Sequence, residues 1–138
     1  MNFTTVLVIQ ASPERVLSVL CDVETWPHWT STMISVHRLD NGPFVVGSKA
    51  RVRQPRLLPA VWQVTELDQR RGFTWETRMP GIHIRARHNV EALGTGSRVT
   101  LSLKFSGFLG PVAARLLRRL NELYLATEAR GLQLRCEA

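Results

Sequence analysis

The sequence has few of the residues that mark metal, redox or membrane-spanning proteins. It contains only two cysteines, Cys21 and Cys136, and neither they nor the four histidines have the spacing of a metal site. No apolar run approaches the length of a membrane-spanning helix, so we expect no stable membrane insertion. The first ten residues, MNFTTVLVIQ, lack the features of a signal peptide and are typical of a strand. We therefore expect a cytoplasmic protein that uses no metal and no cofactor.

Glycine-rich phosphate loops and nucleophile elbows are also missing. The stretch GTGSR contains Gly94 and Gly96, but its position between two strand-like runs predicts a hairpin turn. No Gly-x-Ser-x-Gly sequence occurs, so nothing indicates a hydrolase of the class that carries its serine on such a turn.

The positive charge comes almost entirely from arginine. The net charge is +7, with 16 Arg and two Lys, but the arginines occur in scattered pairs and triplets and do not alternate with aromatic residues. This pattern predicts no nucleic-acid partner. The cluster of Arg115, Arg118 and Arg119 is either a solvated helix face or a surface for a membrane or an acidic partner.

The length and composition are those of an ordinary globular domain. With 138 residues, of which 44% are hydrophobic and 21% charged, we expect one domain over 1–138. Nothing in the sequence distinguishes a monomer from a homodimer.

A strand and two short helices are predicted first. Residues 3–9 are rich in β-branched and apolar residues, and Ser12 and Pro13 then mark the start of a helix that ends near Cys21. The stretch DVETWPHW, residues 22–29, is typical of a further helical turn interrupted by Pro27. Six strand-like runs with short connections follow and predict an antiparallel meander: 33–39, 47–54, 60–67, 73–79, 82–92 and 97–105.

The C-terminal part of the chain changes to helical periodicity. Pro111 is expected to open one long amphipathic helix. Its predicted apolar stripe comprises Leu109, Val112, Ala113, Leu116, Leu117, Leu120, Leu123, Tyr124 and Thr127.

These elements together predict an α+β fold. An antiparallel sheet must cover its apolar face, and the C-terminal helix is the only element long enough to do so. Alternation within 82–92 places His88 on the inner face among apolar neighbours. If the sheet curves around the helix without filling the space between them, an apolar cavity remains.

Three segments are similar to those of a known group of proteins. The order of the elements resembles that of the START-like superfamily, in particular its polyketide cyclase/dehydrase and lipid transport family and the related Bet v 1 group. The segments that carry the resemblance are SPERVLSVLCDVETWPHW, WQVTELDQRRGFTWE and GTGSRVTLSLKFSG. The resemblance implies a helix-grip fold, in which a curved antiparallel sheet of six to seven strands wraps around a long C-terminal helix, with two short helices after the first strand. It also implies a deep apolar cavity for lipids, sterols, hormones or polyketides, and in some members cyclisation, aromatisation or dehydration.

The candidate site follows from this arrangement. Within such a fold, TWPHW lies at the open edge of the sheet, and Trp29 is expected to face the cavity or its entrance in preference to Trp26. Alternatively, both tryptophans seal the junction between the helices and the sheet. The residues predicted to bind ligand are Trp29, Met33, Trp62, Val64, Phe73, Trp75, Met79, Ile84, His88, Leu101, Leu103, Leu116, Leu120 and Tyr124.

Three side chains are candidates for catalysis. His88 is either an acid or base in the cavity or a neutral core histidine. Tyr124 either donates a hydrogen bond to a ligand or packs the helix against the sheet. Glu66 is either a base at the edge of the inner face or a partner of Arg53 at the rim.

Three functions fit the sequence. The first is a binding protein for a hydrophobic small molecule, such as a lipid or polyketide-like compound. The second is a cyclase or dehydratase that uses His88, Tyr124 or Glu66 in the same cavity. The third is a stress or chaperone-like domain that holds a partner peptide, which would require an exposed apolar mouth.

Overall fold

A computed structural model describes all 138 residues as one curved sheet, two short helices and a pair of C-terminal helices. The elements in chain order are β1 (Asn2–Ile9), α1 (Pro13–Cys21), a 3₁₀ helix (Val23–His28), β2 (Ser35–Arg38), β3 (Lys49–Arg53), β4 (Ala60–Asp68), β5 (Gly72–Met79), β6 (Ile82–Leu93), β7 (Gly96–Ser106), α2 (Gly110–Leu116) and α3 (Arg118–Glu137).

All seven strands form one antiparallel sheet in the order β1-β7-β6-β5-β4-β3-β2. Strands β2 to β7 make the predicted meander, because each is joined to the next by a short connection. Strand β1 then pairs with the last strand, from Asn2 opposite Lys104 to Ile9 opposite Ser97. The predicted α+β architecture of a curved antiparallel sheet with a C-terminal helix is confirmed.

Local sequence explains how α1 begins. The Ser12 side chain accepts a hydrogen bond from the Arg15 backbone N–H at 3.2 Å, and Pro13 occupies the first turn. Both residues satisfy or remove backbone donors that have no partner inside the helix. The 3₁₀ helix follows at once and carries Trp26 into the core.

Helix α3 is tied to the start of the chain at its C-terminal end. The Glu137 carboxylate accepts from the Gln10 backbone N–H at 2.8 Å, and Gln133 Nε2 donates to the Val8 carbonyl oxygen at 3.3 Å. Close to this end the interior is filled by fully buried aliphatic side chains, among them Ile9, Val16, Leu20, Val23 and Leu132. The helix is therefore packed firmly at one end, and the space left under it lies at the other.

The structure corrects two predictions about the C-terminal part of the chain. The helix predicted to run unbroken from Pro111 is interrupted, and the predicted apolar stripe is not the face that packs on the sheet. The chain forms two helices separated at Leu117, which still donates to the Ala113 carbonyl at 2.9 Å. The face that α3 presents to the sheet carries Asn121, Leu125, Ala129 and Leu132. Consequently, several residues of the predicted stripe are exposed: Leu109, Val112, Leu116 and Leu123.

A candidate ligand cavity

A cavity of about 320 Å³ lies between the sheet and the C-terminal helices. Nineteen of its 27 lining residues are hydrophobic. The strand-borne part of the lining includes Trp62, Trp75, Thr77, Met79, Ile82, Ile84, Ala86, His88, Leu101, Leu103 and Phe105, and the helical part includes Trp26, Ala113, Leu117, Asn121, Tyr124, Leu125 and Glu128. This volume and lining are typical of a site for an apolar small molecule.

Three tryptophans form an aromatic wall inside the cavity. The rings of Trp62 and Trp75 are 5.8 Å apart between centroids and inclined by 37°, and the Trp26 ring is 5.3 Å from that of Trp75. Trp26 is held in place because its Nε1–H donates to the Leu20 carbonyl at 3.0 Å. Broad ring faces of this kind favour flat, apolar ligands.

The structure places nine of the fourteen predicted ligand-binding residues in the cavity wall: Met33, Trp62, Trp75, Met79, Ile84, His88, Leu101, Leu103 and Tyr124. The other five, Trp29, Val64, Phe73, Leu116 and Leu120, do not line it. Whether the nine contact a ligand stays a prediction.

The positions of Trp26 and Trp29 reverse the expectation. Trp26 lines the cavity, whereas Trp29 packs against α3 at Gly131. A Cβ atom on Gly131 would lie 2.0 Å from the Trp29 carbonyl oxygen, so only glycine allows this contact. Trp29 is therefore a packing residue between the 3₁₀ helix and α3, as the alternative interpretation of the aromatic segment held.

The remaining four residues miss the cavity for two different reasons. Val64 and Phe73 face inward as predicted but are buried in the filled part of the core, where Phe73 stacks on His88. Leu116 points to solvent with 79% of its surface exposed, and Leu120 is partly buried outside the cavity wall. Both errors follow from the phase of the predicted helical stripe.

Glu66 is not a cavity residue. The pairing of β4 with β5 shifts between Val64 and Glu66, so the strand carries an extra residue there. Because alternation is reset by a bulge, Glu66 is exposed instead of lying on the face of Trp62 and Val64. It forms none of the ion pairs in the structure, so the predicted pair with Arg53 is wrong as well.

His88 lies on β6 opposite Phe73 on β5, where alternation predicts it. Its Nδ1 is 3.2 Å from the Phe73 carbonyl oxygen, which can only accept a hydrogen bond, so Nδ1 carries the proton and donates. Burial lowers the pKa of His88 to about 4. The imidazole is therefore neutral near pH 7, and its Nε2 is an acceptor with no partner in the protein.

Tyr124 closes one side of the cavity mouth. Its hydroxyl donates to the Pro55 carbonyl oxygen in the loop between β3 and β4. Burial raises the pKa of the Tyr124 hydroxyl, and the neighbouring Arg56 guanidinium opposes this in part. The hydroxyl is thus engaged by the protein, which favours the packing role over the catalytic one.

Glu128 and Asn121 are cavity residues that the sequence analysis missed. The Glu128 carboxylate accepts a hydrogen bond from Thr32 Oγ1 at 3.1 Å, and burial raises the pKa of Glu128 to about 7. Asn121 is 6% exposed, and its side-chain Nδ2 is buried with no hydrogen-bond partner. Their helical spacing contained the signal, since Leu117, Asn121, Leu125, Glu128 and Leu132 follow one another at intervals of three or four residues.

The mouth of the cavity is lined by residues of the β3–β4 loop and the β5–β6 hairpin. Leu58 in that loop is 84% exposed and Met79 is 40% exposed, so the apolar lining continues to the surface. Arg56 also lies here, with a positive φ of 65°.

No cluster of three or more His, Cys, Asp or Glu side chains could hold a metal ion. None of the helices is long and apolar enough to span a membrane.

A curved antiparallel sheet that grips a terminal helix over an apolar cavity defines a helix-grip protein. The chain belongs to the polyketide cyclase/dehydrase and lipid transport family, whose model matches residues 1–137. No curated protein has significant sequence similarity to it.

Solved structures share the fold at low sequence identity. An aromatase/cyclase, Zhui, from Streptomyces sp. R1128 superposes with a TM-score of 0.80 and 15% identity, over 99% of this chain and 93% of that one. A START superfamily protein from Mycobacterium smegmatis gives 0.77 and 17%, over 99% and 97%. The major latex-like protein 151 from Panax ginseng gives 0.78 and 12%, over 100% and 98%. At these identities the similarity establishes the fold and not the ligand.

Proposed function

We propose that the protein binds a hydrophobic small molecule, a lipid or a polyketide-like compound, in the cavity between the sheet and the C-terminal helices. The observation that carries this proposal is an apolar cavity of about 320 Å³ with 19 hydrophobic residues among 27. Family membership supports it, since the family model is described by both polyketide chemistry and lipid transport.

The energetics favour a ligand with a large apolar surface. Transfer of about 200 Å² of apolar ligand surface from water contributes roughly 5 kcal/mol at about 25 cal/mol per Å². The wall of Trp26, Trp62 and Trp75 favours a planar ring system over a flexible chain. A preformed cavity also limits the entropy lost by the protein on binding.

The unpaired thiols of Cys21 and Cys136 are consistent with a protein of the reducing cytoplasm.

Filling the cavity tests the proposal. Ala86 is buried on β6 between Trp75 on β5 and Leu103 on β7, so an Ala86→Phe ring would occupy the space. We expect the binding of an apolar polycyclic probe, followed by tryptophan fluorescence, to weaken at least about tenfold. Ala92→Phe on the same strand is the control, because Ala92 is exposed and outside the cavity.

Mass spectrometry supplies an independent measurement. Under native conditions, the wild-type protein from cells should carry a small molecule that Ala86→Phe lacks and Ala92→Phe retains. Equal binding of a polycyclic probe by all three proteins would contradict the proposal.

A second candidate function, a cyclase or dehydratase type of enzyme, is favoured by one observation. The carboxyl of Glu128 lines the cavity with a pKa raised by burial to about 7, which is close to the optimum for moving protons at neutral pH. Glu128 is better suited to this role than His88, whose pKa of about 4 makes it a weak base.

Proton abstraction beside a carbonyl tests this second candidate. In D₂O, the Glu128 carboxylate would remove a proton from C2 of 1-tetralone, and the resulting enolate would take up deuterium at the same carbon from the Glu128 carboxyl group, once this has exchanged its proton with D₂O. We expect NMR to show exchange faster than in buffer and exchange at the buffer rate with Glu128→Gln. Exchange that is equally fast in both proteins would exclude Glu128 as the base.

A further inference from the structure

Three buried side-chain nitrogen atoms have no hydrogen-bond partner, Trp29 Nε1, Arg38 Nε and Asn121 Nδ2, and of these only Asn121 Nδ2 belongs to a residue that lines the cavity. The residue is 6% exposed and lines the cavity from α3, and its Nδ2 is buried without a hydrogen-bond acceptor in the protein. Buried amide groups are nearly always paired, and an unpaired one destabilises the fold by about 1 to 3 kcal/mol. Because Asn121 lines the cavity, a molecule bound there can supply the missing acceptor.

Nothing on the same helix face can satisfy Asn121. Leu117 precedes it by one turn and Leu125 follows it by one turn, and both line the cavity with apolar side chains. The carboxamide carries a donor and an acceptor at its end, and rotation about χ2 exchanges their positions. It can therefore bond either a carbonyl oxygen or a hydroxyl group.

The other polar groups of the cavity restrict the charge of the partner. Glu128 lies seven residues further along α3, about 10 Å at a rise of 1.5 Å per residue, and contributes a carboxyl group to the same cavity. His88 on the sheet side is neutral and presents an acceptor nitrogen. Neither group offers a positive charge to a ligand carboxylate or phosphate in the interior, and the two arginines of the lining, Arg56 and Arg87, are exposed to solvent. A neutral ligand group is therefore favoured in the interior.

We propose that the natural ligand is a neutral, oxygenated hydrophobic molecule whose ketone or hydroxyl oxygen is hydrogen-bonded by the carboxamide of Asn121 inside the cavity. This inference rests on the proposed binding function and adds the chemical class of the ligand and the residue that recognises its oxygen.

A comparison of matched ligands with and without the oxygen tests the contact. The probes are 1-tetralone against tetralin, and anthrone against 9,10-dihydroanthracene, with Kd values from tryptophan fluorescence and calorimetry. The measured quantity is the ratio of the ketone Kd to the hydrocarbon Kd, because differences in the hydration of the free ligands then cancel between protein variants.

Asn121→Leu is the informative variant, since leucine has a similar size and no polar atom. We expect the Kd ratio to rise about tenfold in Asn121→Leu for both ligand pairs, while the hydrocarbons bind at least as tightly as to the wild type. Asn89→Ala on the outer side of β6 is the control and should leave the ratio unchanged, because Asn89 does not line the cavity. Asn121→Ala provides a second test if the leucine variant folds poorly.

The possible results separate this inference from the proposed function. An unchanged ratio, with all four probes still bound, would overturn the role of Asn121 and leave the apolar cavity as a binding site. No binding of any probe to the wild type would overturn both. A melting temperature of ligand-free Asn121→Leu above that of the wild type would further support the inference, because an unpartnered amide is removed from the interior.

Discussion

The carboxyl group of Glu128 makes the stability of the protein depend on pH in a direction that can be measured. Burial raises the pKa of Glu128 from 4.5 to about 7. Between these values, the folded protein retains a proton that the unfolded chain has released. The free energy of unfolding therefore falls as the pH rises through this window; the favourable contribution is complete below the unfolded pKa and lost above the folded one.

The size of the effect follows from the two pKa values. Their separation corresponds to at most about 3 kcal/mol at 1.36 kcal/mol per pH unit. Glu128 is partly and not fully buried, so water reduces the penalty and we expect about 1 to 3 kcal/mol. Glu128→Gln removes the titration but keeps an oxygen that can accept the hydrogen bond from Thr32 Oγ1.

Urea unfolding of the wild type and Glu128→Gln from about pH 4 to about pH 8 measures this contribution. We expect the two proteins to be similarly stable at the acidic end and the variant to be more stable by about 1 to 3 kcal/mol at the alkaline end. The difference between the proteins isolates Glu128, because every other titrating group is common to both. Glu66→Gln is the control and should show no such trend, because Glu66 is exposed, lies outside the cavity and forms no ion pair. A difference that does not change with pH would refute the reasoning.

Three further predictions concern the packing around the cavity. Gly131→Ala should lower the stability by about 1 to 3 kcal/mol in urea unfolding, despite the better helix propensity of alanine, because the added Cβ would lie 2.0 Å from the Trp29 carbonyl oxygen; equal stability would contradict this contact. His88→Phe should lose less stability than the wild type between about pH 6.5 and about pH 4, since burial lowers the pKa of His88 to about 4 and the folded protein resists protonation in that range; parallel pH profiles would show that His88 is not buried. Trp26→Phe should lower the unfolding midpoint by an amount equivalent to about 1 to 3 kcal/mol, because the hydrogen bond to the Leu20 carbonyl is lost and the ring is smaller; an unchanged midpoint would argue against that bond.

The sequence predicts the sheet well because its signals are local. Each strand-like run ends at a turn sequence, and antiparallel neighbours are joined by short loops. The inward positions of Trp75 and His88 also follow from simple alternation. Alternation fails at Glu66, where a bulge adds a residue to β4, and no residue type in that strand announces the bulge.

The aromatic segment shows a different limit. Trp26 and Trp29 lie three residues apart, and either could face the cavity on sequence grounds. The choice is made by a glycine about a hundred residues later in the chain, because α3 approaches Trp29 closely at Gly131. Such long-range fits depend on how the helix is docked and have no local signal in the sequence.

The error on α3 has a cause that also explains the candidate site. The helical stripe was predicted from the most continuous set of apolar residues, whereas the face turned to the cavity carries Asn121 and Glu128. A fold optimised only for stability would place leucines at both positions, since an unpaired amide and a buried carboxyl each weaken the folded state. Sequence patterns are read on the assumption that inward faces are apolar, so they fail where a protein keeps polar groups inside. Asn121 and Glu128 therefore made the inner face of the helix hard to predict. The same two residues favour a ligand cavity over an accidental gap in the packing, because they place polar groups where a bound molecule can contact them.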